Sequence, residues 1–120
     1  MDVLIVESRL PLASLWQAHL ERQGVCATIA GTADRAVAAV SAAHFDVIVM
    51  DLVLEDGSAL AVADYVQYRR PEAKIIFVTD TTFFSDGSIF NMIPNAAGFL
   101  PAKSEPGDIA ALVEHHGRVA

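Results

Sequence analysis

Three carboxylates and two hydroxyls stand directly after short apolar runs. Glu7 and Ser8 follow Val3-Leu4-Ile5-Val6, Asp51 follows Val47-Ile48-Val49-Met50, and Thr79 and Asp80 follow Ile75-Ile76-Phe77-Val78. If those runs are parallel strands, all five residues gather outside the carboxyl ends of one sheet, where open α/β sheets bind their ligands. Carboxylate oxygens suit a hard cation such as Mg²⁺, which keeps several of its waters. An aspartate is also a nucleophile toward phosphorus, giving an aspartyl phosphate. A cation beside it would offset its repulsion from an incoming phosphate.

The elements that must position these residues follow from the pattern. The first apolar run ends at Glu7-Ser8. Pro11 then suits a first helical turn, Leu12, Leu15, Trp16, His19 and Leu20 follow at helical spacing, and Gly24 stops the helix. Residues 25–30 alternate as a second strand. Thr32 is the expected N-cap of a second helix, with Ala33, Ala36, Val37 and Val40 as its buried stripe. Glu55-Asp56-Gly57-Ser58 leads into a third helix through Leu60, Ala63 and Val66, and Arg69-Arg70-Pro71 ends it. Residues 81–95 read as a loop and a short helix. Residues 96–100 form a weaker fifth strand, and 105–115 a closing helix with Ile109, Leu112 and Val113 inward. Runs apolar on both faces fit a parallel sheet covered by helices on both sides.

The chain has 120 residues, 53% hydrophobic and 19% charged. That predicts one domain over 1–120 with its own core. Acids outnumber bases 15 to 8, a net charge of −7. A surface for nucleic acid or for a membrane would be basic, so neither partner is expected. No apolar run nears the roughly 20 residues that span a bilayer, and the first residues lack the basic start of a signal peptide. A cytoplasmic location is the expectation. The lone Cys26 excludes an internal disulfide and is expected as a partly buried, inert thiol.

With these residues in place, the sequence resembles the receiver domain of bacterial two-component response regulators over nearly its whole length. The residues that carry the resemblance are 4–8 (Leu-Ile-Val-Glu-Ser), 46–57 (Asp-Val-Ile-Val-Met-Asp-Leu-Val-Leu-Glu-Asp-Gly), 75–79 (Ile-Ile-Phe-Val-Thr) and 96–100 (Ala-Ala-Gly-Phe-Leu). It implies a doubly wound, flavodoxin-like (βα)5 fold with strand order 2-1-3-4-5. It also implies roles. Asp51 matches the phosphoacceptor, Glu7 the first of the acids that hold Mg²⁺, Thr79 the hydroxyl that senses the phosphoryl group, and Phe99 the aromatic switch. The implied partners are a histidine kinase or phosphotransfer protein upstream and a protein target or a second copy downstream. These would be engaged by the face of the fourth helix, fifth strand and fifth helix.

The chain departs from the family in four respects. Ser8 replaces an acidic metal ligand, so Mg²⁺ affinity should fall. The family's lysine position is Ala102, with Lys103 one place later; a one-residue slip sends a strand side chain to the opposite face. A bulge at Pro101 would return Lys103 to the pocket. Asp80 stands where a small residue is usual, either repelling the phosphoryl group or serving as a metal ligand in place of Ser8. In the loop after Asp51, Glu55 and Ala59 replace proline and glycine, although Asp56-Gly57 is a good turn pair.

Plainer readings stand beside these. Asp51 could cap the next helix, Glu7 and Asp80 could be solvated strand-end acids, and Thr79 could bond its own backbone. Trp16 belongs to the core. Phe83, Phe84, Ile89, Phe90, Met92 and Ile93 crowd one short segment and are expected to offer an apolar partner surface. The alternative to a phosphorylated receiver is a degenerate one that binds partners without phosphorylation. Other chemistries on this architecture lack their motifs. There is no glycine-rich phosphate loop after the first strand and no G-x-G-x-x-G. Val53 stands where an aspartate-nucleophile phosphatase carries its second aspartate, and G-x-S-x-G is absent.

Overall fold

The computed structural model describes residues 1–79 and 95–117. The strands are β1 (Asp2–Val6), β2 (Cys26–Ala30), β3 (Val47–Asp51), β4 (Lys74–Thr79) and β5 (Ala96–Pro101). The helices are α1 (Leu10–Arg22), α2 (Ala33–Ala42), α3 (Ala59–Arg69) and α4 (Pro106–Gly117). All five strands lie in one sheet in the order β2-β1-β3-β4-β5, and every pairing is parallel. Asp80 and the segment holding Phe83, Phe84, Ile89, Phe90, Met92 and Ile93 lie outside the described residues.

Alternation along the strands builds two apolar layers. Leu4, Val6, Ile48, Met50, Ile75 and Phe77 pack against α2 and α3. Val3, Ile5, Val47, Val49, Ile76 and Val78 pack against α1 and α4, with Trp16, Leu20, Ile109 and Val113. Each interior strand is therefore apolar on both faces, as a sheet covered on two sides requires. Burying one such side chain contributes about 2 kcal/mol.

Helix ends follow the sequence signals. Pro11 lies in the first turn of α1, and Gly24 just beyond its end takes φ +82°, a conformation open to glycine. Thr32 caps α2 by accepting from Arg35 N, and Ser58 caps α3 by accepting from Ala61 N. Asp56 adds a second tie, with both its carboxylate oxygens 3.1 Å from Ala33 N. Next to it, a Cβ on Gly57 would stand 2.9 Å from the Ala33 Cβ, so this turn packs on α2 only with glycine.

Two expectations need correction. Cys26 is exposed, not partly buried. It opens the edge strand β2, and its neighbours Val25 and Ala27 take the inward positions. The bulge of β5 is at Ala97, not Pro101: Ile75 pairs with Ala96 and Ile76 with Gly98, after which the register runs unbroken to Thr79 and Pro101. The ladder then extends one step further, Ala102 N donating to Thr79 O at 3.0 Å.

Candidate functional site

Period two puts Glu7 and Asp51 together. Each is two residues beyond an Ile5 or Val49 that faces α1 and α4, and β1 and β3 are adjacent with Val6 beside Met50. Both carboxylates are buried, Glu7 1% exposed and Asp51 3%. Two carboxylates cannot share a dry site without a cation or a proton.

The cation is Arg9, a residue the sequence did not single out. It is the N-cap of α1, in extended backbone conformation and without the side-chain cap that Ser or Asp would supply. Glu7 Oε1 accepts from Arg9 N at 2.9 Å and from Arg9 Nε at 3.0 Å. Arg9 Nη2 reaches across to Asp51 Oδ2, also at 3.0 Å. The other Asp51 oxygen, Oδ1, accepts from Val53 N at 2.9 Å. Burial, and then the neighbouring Asp51 carboxyl, push Glu7 up from its ordinary value to about 7, against the opposing pull of its bonds from Arg9. A basic residue in the β1–α1 connection, two places after a strand-end acid, was the available signal for Arg9.

The remaining candidates sort as follows. Ser8 Oγ accepts from Glu55 N at 3.1 Å, tying the loop after β3 to the end of β1. That loop is closed by an antiparallel bridge between Val53 and Ser58. Thr79 is buried at the end of β4, next to Asp51's strand. Phe99 lies opposite Phe77 and packs, partly buried, on the layer facing α2 and α3. Ala102, at the family's lysine position, is buried in the layer facing α1 and α4, and Lys103 is exposed to solvent.

The donor set bears on the Mg²⁺ that the resemblance implies. A Mg²⁺ ion needs anionic oxygens near 2.1 Å in octahedral array with its waters. Of the four carboxylate oxygens of Glu7 and Asp51, three accept protein N–H groups, two of them from the guanidinium that spans the pair. The fourth, Glu7 Oε2, is buried and has no hydrogen-bond partner among the described residues. Among the described residues no group of three or more His, Cys, Asp or Glu is placed to hold a metal ion. As arranged, these residues do not fit Mg²⁺.

The chain is similar to solved receiver domains throughout its length. The non-phosphorylated HemR receiver domain of Leptospira biflexa superposes with TM-score 0.88 at 21% identity, covering 99% of this chain and 95% of that one. The N-terminal domain of a response regulator/sensory box/GGDEF protein of Carboxydothermus hydrogenoformans gives 0.86 at 26% identity, covering 98% and 94%. A Burkholderia pseudomallei response regulator with a phosphorylated aspartic acid and a calcium ion gives 0.83 at 22% identity, covering 97% and 68%. Among curated proteins none matches the chain in sequence. The response regulator receiver domain model matches residues 3–114, over the sheet and the helices that carry Glu7, Arg9, Asp51 and Thr79, and the chain belongs to that family.

Proposed function

We propose that this chain is a signalling receiver module whose phosphoacceptor is Asp51. The observation that carries the reading is a buried aspartate at the carboxyl end of β3, paired with Glu7 and held by one N–H on each oxygen. Hydrogen bonds on both oxygens hold the carboxylate in one orientation. The donor would be a phosphohistidine of a histidine kinase or phosphotransfer protein. An Asp51 oxygen attacks phosphorus, a P–O bond forms, and the P–N bond breaks with its electron pair returning to the imidazole. The product is an acyl phosphate on Asp51.

In this reading Thr79 senses the phosphoryl group and Phe99 follows it, shifting a two-state equilibrium of the surface beyond. That surface would include the segment of Phe83, Phe84, Ile89, Phe90, Met92 and Ile93, and it would engage a downstream protein or a second copy. A cytoplasmic location goes with that partner class. One observation favours the second reading, a receiver that works without phosphorylation: Ala102 is buried where the family keeps its lysine, while Lys103 is exposed.

Incubation with acetyl phosphate followed by intact-mass spectrometry separates the two. The first reading expects a gain of one phosphoryl group in the wild type and none in Asp51→Asn. No gain with acetyl phosphate or phosphoramidate sinks it in favour of the second.

A further inference from the structure

We propose that the Arg9 guanidinium is the resident cation of this pocket, spanning Glu7 and Asp51 in place of a divalent ion. The contacts are short and come from both ends of the residue. Arg9 N anchors Glu7 Oε1 at 2.9 Å, Nε repeats that contact at 3.0 Å, and Nη2 closes on Asp51 Oδ2 at 3.0 Å. A guanidinium is permanently charged and planar, and its donors are set in a rigid fork that suits carboxylates and phosphates alike. Lysine, a point charge on a flexible stem, could not hold both acids in that way.

Ser8 is neutral and adds no further carboxylate beside Glu7 and Asp51. Ser8 keeps a different job, bonding Glu55 N.

The position is also suited to a phosphoryl group. The Arg9 side chain is 47% exposed while the Asp51 side chain it bonds is 4% exposed, so the cation beside the buried nucleophile is open to solvent. A phosphoryl group arriving at Asp51 Oδ2 meets the guanidinium there, and its developing charge is stabilised without a metal. This last consequence rests on Asp51 being the phosphoacceptor; the placement of Arg9 does not.

The test separates the two. Mg²⁺ is titrated by calorimetry into the wild type and into Arg9→Ala, with Tm followed in parallel, and Arg9→Gln stands in if the alanine variant does not fold. The wild type is expected to bind Mg²⁺ at least about tenfold more weakly than the variant. Equal affinity in the two, or no binding by either, overturns the proposal, because the arginine would then not be what takes the ion's place. A second arm measures phosphorylation by acetyl phosphate in EDTA. Wild-type labelling that persists in EDTA and falls in Arg9→Ala supports the proposal, and labelling that needs Mg²⁺ overturns it. Absence of labelling under every condition removes Asp51 as phosphoacceptor and leaves the calorimetric result to decide on Arg9.

Discussion

At the carboxyl end of the strands, Glu7 and Asp51 are almost wholly buried and meet Arg9 at 3.0 Å. At the amino end, His44 stands 3.8 Å from Asp46 and 3.7 Å from Glu72, with all three side chains about half exposed. Both ends bring acids and bases together on the same sheet. Only one removes its acids from water. Exposed pairs are screened and contribute roughly 0–1 kcal/mol. Buried charges must be compensated within the protein, and breaking such a set is costly. The comparison separates a group of charges arranged for chemistry from one that is merely tolerated at a surface.

The largest expected effect breaks the comparison through pH. Glu7 has its folded pKa raised from 4.5 to about 7, so the folded state holds that proton more tightly than the unfolded chain does. The stability this contributes is fully present below pH 4.5, is lost as pH rises toward 7, and does not fall further above it. The loss should amount to about 3 kcal/mol. Urea unfolding at a series of pH values measures it, and Glu7→Gln should flatten that slope. An unchanged slope in Glu7→Gln would assign it to other groups.

Arg9→Ala should come next. It leaves two buried carboxylates without their cation and should cost roughly 2 kcal/mol near neutral pH, less than a fully buried pair would because Arg9 is itself half exposed. The deficit should shrink in acid as Glu7 takes up its proton. Asp56→Ala removes the acceptor from the start of α2 and should cost about 1 kcal/mol. The smallest effect is at the other end of the sheet: His44→Ala should change stability by no more than about 0.5 kcal/mol. A loss at His44 as large as that at Arg9 would erase the distinction between the two ends.

Much of this was legible in the residues. Apolar runs ending in Glu7, Asp51 and Thr79 gave the strands, their order in the chain and the shared edge, because the period-two pattern is dictated by burial on both faces. Thr32 and the helix stop at Gly24 were readable because capping is local. Arg9 was readable only as a base two places after a strand-end acid. Its role depends on β1 and β3 being adjacent and on a side chain folding back over two residues, and no local pattern encodes that. Position 103 turned on where β5 bulges, which is set by packing against β4 and not by Pro101. Cys26 was misplaced although alternation already put Val25 and Ala27 inward: with Thr28 it lies on the exposed face of the edge strand.

The central claim is that Asp51 accepts a phosphoryl group with Arg9 supplying the positive charge. Intact-mass spectrometry after acetyl phosphate treatment tests it most directly, with wild type, Arg9→Ala and Asp51→Asn each treated in EDTA and in millimolar Mg²⁺. The account predicts one added phosphoryl group on the wild type in both conditions, a loss of the EDTA signal in Arg9→Ala, and no addition to Asp51→Asn. Wild-type phosphorylation that appears only with Mg²⁺, or a phosphoryl group on Asp51→Asn, would contradict it.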